Sequence, residues 1–357
     1  MRIVSQIAVI GVTGLVALAA SQASAAYRLL SDGPQLELRD MVARVVVTPE
    51  DRSDVDIRVR YGKAKVPTLM VSHRGNVTVL NGHLNDRGHD SPFNIRINIE
   101  DGDRDVTFTN GVVYIDGVGK VSVDDLPLVY IRVPNHAVVK DNSDSLGHIN
   151  PSQSLDLILN GGGDWTVDPV NGPLNIICSG ASNLHVTAAG DAIVDNMGSG
   201  DIELGTVRAL KASLVGSGNF VSHQSGATDI QNMGSGDVAL GRVGDLKAQL
   251  AGSGDLTLDR VSGRLQLSNF GSSDVHIGSV NGGPAVLELS GSGDVDINGG
   301  QVPAFNMSGS GSGDVDFNGI ASAVRIDSNG SGDVRILKAT GPVITNVNGS
   351  GEMHIGH

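Results

Sequence analysis

The stretch GSGDV occupies residues 234–238 and returns at 291–295, 311–315 and 330–334. Variants of it fill the intervals. The first glycines of the series are Gly161, Gly180, Gly198, Gly216, Gly234, Gly252, Gly271, Gly291, Gly311, Gly330 and Gly349, which gives eleven copies at steps of 18 to 20 residues. Its fourth position is Asp or Asn in every copy but the last, where Glu352 stands. Self-similarity at a fixed short period is the signature of a repeat architecture.

Within each copy the letters alternate. Val238 and Leu240 flank Ala239, and Val315 and Phe317 flank Asp316. A second alternating run precedes each motif: LKASL at 210–214 and LKAQL at 246–250 place Leu and Ala on one face and Lys, Ser and Gln on the other. A period of two means strands with one face turned inward. No stretch here has the apolar spacing of a helix, and the period is too short for a propeller blade or a strand–helix–strand unit. The expected fold is all-β: a single-stranded parallel β-helix, or β-solenoid, of 18–20 residues per coil, with GSGD as its corner. Strands stacked at about 4.8 Å then put equivalent letters above one another. The glycines are expected to supply positive φ at the corners. The Asp column is expected to accept N–H bonds from its own turns. Asn232 and Asn269 fall in inward slots and suit a stack of amides bonded coil to coil.

Three segments are expected. Residues 1–26 read as a signal peptide: Arg2, an uncharged apolar run over 7–20, then small residues ending in cleavage near Ala25 or Ala26. Residues 27–150 are strand-rich and lead into the solenoid, with a polar insertion or long hairpin at 85–105. Residues 151–357 are the repetitive solenoid. The expected location is therefore periplasmic or secreted, with no transmembrane segment after cleavage.

With 25 Lys and Arg against 39 Asp and Glu, the formal charge is −14. That argues against nucleic acid as a partner. Cys178 is the only cysteine, so no internal disulfide forms, and its apolar surroundings make it a small buried hydrophobe. Trp165 falls in an inward slot. His185, His223, His276 and His354 fall on the outside.

The repeat and the upstream order VVVTPEDRSDVDIRV, TLMVSHRGNVTVLNG and VYIRVP together resemble the bacterial head GIN domain, an auto-transporter adhesin family, over most of the chain after residue 26. The resemblance implies an exported adhesin-like β-solenoid without established catalysis, and it carries over no functional residues. Auto-transporters end in a membrane barrel, whereas this sequence ends at GEMHIGH, inside a repeat.

Candidate chemistry is weighed on this frame. Asp294, Asp296, Asp314 and Asp316 project from two adjacent coils with His276 one coil earlier, a density of hard ligands that suits Ca²⁺. A calcium-roll nonapeptide is not met, because Asp follows Gly directly and the second half of each coil lacks the motif. GSGDVA at 234–239 fits a loose dinucleotide fingerprint but opens no helix. No nucleophile–base–orienter set stands out, and no cofactor is expected. The leading expectation is a non-enzymatic envelope protein with an adhesin-like binding or assembly role. Its partner would be an envelope or surface component: a polysaccharide, or another copy of the chain through the C-terminal coil. The alternatives are a Ca²⁺-binding structural module and a polysaccharide lyase or hydrolase on a β-helix.

Overall fold

In the computed structural model, each residue of the coil Ile202–Leu214 lies in parallel register between residues eighteen before and eighteen after it: Leu204 between Val186 and Ser222, Leu210 between Ala192 and Thr228. The structure describes residues 35–84, 111–115 and 118–357 in full, and the backbone of short strands at 16–17, 27–31 and 96–98. The signal peptide read at 1–26 thus lies almost wholly outside the described residues. So does most of the insertion expected at 85–105, whose strand Arg96–Asn98 pairs antiparallel with Val112–Ile115. Among the described residues no helix is long and apolar enough to cross a membrane.

The coils from Asn183 to Ile355 form one parallel ladder, and their inward residues are Val, Leu, Ile, Ala and a few Phe, buried into a single continuous core. Later coils split into two strands, as in Val238–Val243 and Leu246–Leu250, with a bend between. Phe305 and Phe317 stack inside, their ring centroids 5.1 Å apart. Trp165 and Cys178 lie in the core, as the alternation predicts, and burial pushes the Cys178 thiol up to about 12.

The ladder does not begin at residue 151. Strands His136–Asn142 and Leu146–Ile149 form a coil in register with Ser154–Leu159 and Asp164–Val167. On its other side lie Gln35–Arg39 and Arg44–Glu50, and beyond them Val77–Asn81 and Leu128–Pro134. A coil from early in the chain is thus inserted between two later ones. Beyond it the parallel run gives way to antiparallel strands: Val55–Arg60 on Leu128–Pro134, Tyr27–Ser31 on Val55–Arg60, and Met70–Arg74 on Val77–Asn81. The fold is a parallel solenoid with a mixed end, where parallel and antiparallel pairings meet on the strands Val77–Asn81 and Leu128–Pro134.

Two expectations about the corners are corrected. The repeated glycines do not take positive φ, apart from Gly163 at 107°. They are needed for space: a Cβ on Gly252 would lie 1.8 Å from the carbonyl oxygen of Gly234, and one on Gly234 would lie 2.0 Å from that of Gly216. Each coil rests on the glycine backbone of the last. The inward asparagines form no stack either. Asn196, Asn232 and Asn269 alternate with Leu214, Leu250 and Leu289 in one column. Each bonds within its own corner: Asn232 Nδ2 donates to the Gly236 carbonyl at 3.0 Å, and the Gly234 N–H donates to its Oδ1 at 3.1 Å. With a leucine on either side of Asn232 and of Asn269 in the column, neither amide has a like neighbour to stack on.

Among the described residues two buried hydroxyls, those of Ser152 and Ser222, have no hydrogen-bond partner. Ser222 is fully buried between Leu204 and Leu240, and its Oγ has no hydrogen-bond partner. An unpaired buried hydroxyl costs about 1–3 kcal/mol. Ser222→Ala is expected to raise stability by about 1 kcal/mol, read as a higher urea midpoint with an unchanged slope. A lower midpoint would show that the hydroxyl is satisfied in solution.

Candidate functional site

The corner shared by the repeated coils is the most regular surface of the molecule. Across residues 233–238 the chain presents Met233 outward, crosses Gly-Ser-Gly, turns Asp237 outward and re-enters the core at Val238. The backbone bonds to the neighbouring coil at each step. The Ser235 N–H donates to the Gly216 carbonyl at 3.2 Å and the Val238 N–H to the Asp255 carbonyl at 2.8 Å.

The acidic column supplies the missing rung. Asp237 Oδ1 accepts the N–H of Asp255 at 2.9 Å, and Asp255 Oδ1 accepts that of Asp274 at 2.9 Å. The same link joins Asp274 to Asp294, Asp294 to Asp314, Asp314 to Asp333 and Asp333 to Glu352. The carboxylates therefore cap the next coil and not their own turn. Stacking brings the equivalent N–H of the neighbouring coil within reach of each carboxylate. Asn183 and Asn219 do the same work with an amide oxygen, accepting from Asp201 and Asp237 at 3.0 Å each. The chemistry required is an acceptor, not a charge. Asp255→Asn should leave stability within about 0.5 kcal/mol of wild type, whereas Asp255→Ala should cost about 1 kcal/mol. Equal losses for both, in paired denaturation curves, would refute an acceptor role.

The residues expected to hold a cation separate into two columns. Asp294 and Asp314 belong to the ladder. Asp296 and Asp316 are register neighbours on the adjoining outer face, with His276 before them and Arg335 after. His276 Nδ1 lies 3.8 Å from Asp296 Oδ2, and Asp316 Oδ1 is enclosed without a hydrogen-bond partner. Among the described residues no three His, Cys, Asp or Glu side chains are gathered so as to hold a metal ion.

Sequence reading missed two features. His185 and His223 lie outside, as expected, but both face Glu203: His185 Nδ1 is 3.4 Å from one carboxylate oxygen and His223 Nε2 is 2.8 Å from the other. The offset of 18 between 185 and 203 is one coil, so half of this contact was legible. The second feature is an apolar ridge. Met197, Val215, Met233, Ala251 and Phe270 each precede a corner glycine, are all exposed, and line up over five successive coils. Met197, Met233 and Phe270 are each more than half exposed. The column then turns polar at Ser290, Ser310 and Asn329, where an open groove of serines and glycines starts beside Phe270.

These features can be set beside known proteins. No curated protein matches the chain. A solved structure to which it is similar is that of a putative cell adhesion protein from Clostridium sporogenes, at 8% identity, covering 80% of this chain and 100% of that one with a TM-score of 0.19. A family model described as "Putative auto-transporter adhesin, head GIN domain" matches twice, over residues 142–264 and 259–356. The two matches meet at Asp259–Arg264, where the strands Leu256–Val261 and Leu265–Asn269 continue the ladder without a break. Together they span more than half of the 357 residues, and the chain belongs to this head GIN domain family.

Proposed function

We propose that the protein is a non-enzymatic, adhesin-like binding scaffold of the bacterial envelope, exported to the periplasm or beyond. One observation carries the reading: two back-to-back matches to an adhesin head domain fall on a single unbroken ladder. Such a ladder holds identical surface groups at a fixed spacing on a rigid support. Rows of weak contacts can then act together, as adhesion requires. The test compares cells with and without the gene for attachment to polysaccharide-coated and protein-coated surfaces, alongside fractionation to locate the chain. Loss of attachment on deletion supports the reading. Unchanged attachment on every surface, or recovery of the chain in the cytoplasm, overturns it.

The C-terminal coil is the part of this reading that concerns a second copy. Strands Val343–Val347 and Met353–Ile355 pair on one side only among the described residues, and Ile344 is 58% exposed. Open strand edges invite pairing. A strictly monomeric mass at high concentration would remove that element and leave the rest.

A cation role for Asp294, Asp296, Asp314, Asp316 and His276 would draw on the second carboxylate oxygens of Asp294 and Asp314, since the ladder takes only their Oδ1. The enclosed, unpaired Asp316 Oδ1 is the observation in its favour. Calorimetry with Ca²⁺ decides it, and the absence of heat at millimolar Ca²⁺ would end it.

A further inference from the structure

We propose that the apolar ridge along Met197, Val215, Met233 and Phe270 is a docking surface for a cationic amphipathic α-helix of a protein partner. This deepens the adhesin-like reading by naming a face and the chemistry it selects.

The ridge is exposed in an unusual way. Isolated exposed apolar residues need no explanation, but an aligned row marks an interaction site. The glycines at 198, 216, 234, 252 and 271 leave one flank of the ridge low and open. Across the Gly-Ser-Gly step, at most about 13 Å of extended chain away, run Asp201, Asp237, Asp255 and Asp274, all exposed. No cation stands between ridge and acids. On the opposite flank Lys247 is paired with Asp229 at 3.8 Å, and Lys211 is offset by Asp195 on the neighbouring outer column. The net field at the ridge is negative, within a chain of formal charge −14.

That field chooses the occupant. Two copies meeting ridge to ridge would bring their acid ladders together. An anionic lipid surface would be repelled likewise. A partner with an apolar stripe bordered by Lys or Arg satisfies both columns at once.

The spacing chooses the partner's conformation. Coils repeat at about 4.8 Å, a helix turn advances about 5.4 Å, and two strand residues advance about 6.6 Å. Over the four steps of the ridge a helix drifts by about 2.4 Å, half a coil, whereas a strand drifts by about 7 Å and falls out of register. The ridge is about 19 Å long, the length of about 13 helical residues.

The probe is a fluorescein-labelled 18-residue Leu/Lys peptide with leucines at helical spacing, titrated with the full chain and read by anisotropy. A scrambled peptide of the same composition is the control. The expected result is at least tenfold tighter binding of the ordered peptide. That preference should be lost in the double variant Met233→Ser, Phe270→Ser, whose exposed positions leave the core intact. Asp237→Asn with Asp255→Asn keeps the coil-to-coil acceptors and should weaken binding several-fold, with a shallower salt dependence. Equal binding of ordered and scrambled peptides overturns the proposal, as does a ridge variant that binds like wild type. Dimerisation of the chain, or binding to phosphatidylcholine vesicles, that the ridge variant abolishes would assign the ridge to those occupants and overturn it too. Cell attachment that needs the gene but survives the ridge variant would leave the adhesin-like reading standing and remove this one.

Discussion

Replacing Gly252 by alanine should cost about 3 kcal/mol or more and split the unfolding of the ladder into two steps. The added Cβ would sit 1.8 Å from the Gly234 carbonyl oxygen and 2.9 Å from its carbon. Both are backbone atoms, so no side chain can swing away, and the coils must part. Overpacking of this kind typically costs 1–3 kcal/mol, and more where the obstacle cannot yield. The third position of the motif is less demanding, since Ser182 and Ser273 occupy it in two coils. The first position is glycine in all eleven copies. Stacked coils are coupled mainly through nearest neighbours, so a lesion between the coils of Gly234 and Gly252 weakens the joint between the two halves. Gly299→Ala is the control. Its φ is not positive, and the nearest atom to its Cβ would be the Gly278 oxygen at 3.9 Å. That variant should stay within about 0.5 kcal/mol of wild type. Urea melts of both, followed by circular dichroism, test the contrast. Equal midpoints for Gly252→Ala and wild type would mean that the corner glycines are not contact surfaces.

The same glycines show what a sequence makes legible. Their period reveals that coils stack, because equal spacing is written in the letters. Their physical reason is hidden, because the atom each one must avoid belongs to a residue eighteen or more positions earlier. A local reading supplies a local cause, positive φ, and it is wrong at Gly234 and Gly252. The Asp column fails in the same direction: a local reading bonds Asp237 to its own turn, but the partner is the N–H of Asp255. Inward positions such as Trp165, Cys178 and Leu240 are read correctly, since alternation alone decides which way a strand residue faces. The insertion of Gln35–Glu50 between later coils is not legible, because no repeat there ties order in the chain to order in the stack. The apolar ridge was spelled out at Met197, Val215 and Met233. It becomes a surface only once the corner is known to turn those residues outward.

At the N-terminal side of the repeats, Asp141→Asn should make the protein more stable above neutral pH and abolish part of its pH dependence. Asp141 is completely buried. Trp165 Nε1 donates to its Oδ2 at 2.9 Å, Ser143 Oγ donates to its Oδ1, and the Ser143 and Ser145 hydroxyls are 2.7 Å apart. Burial raises its carboxyl to about 7 from an ordinary 3.8, and the nearby Asp144 pushes the same way, against the opposing hydrogen bonds of Ser143 and Trp165. The folded chain therefore keeps a proton that the unfolded chain releases between about pH 4 and pH 7. In that window the native state binds more protons, so stability falls as pH rises, and the loss is complete above about 7. Its upper bound is about 4 kcal/mol, from 1.36 kcal/mol per pH unit. Asparagine mimics the neutral acid: its oxygen can accept from Trp165 while its amide donates to Ser143. The advantage of Asp141→Asn should be greatest at pH 8 and vanish toward pH 4. Glu37 and Asp191 have lowered carboxyls and lose their stabilisation only as pH falls through their own lower range. They are common to both proteins and cancel in the difference. Urea midpoints of the two proteins at pH 5, 6, 7 and 8 decide the matter. A difference that stays constant across that range would mean that Asp141 is already ionised in the fold, held by its indole and hydroxyl donors against the low polarity around it.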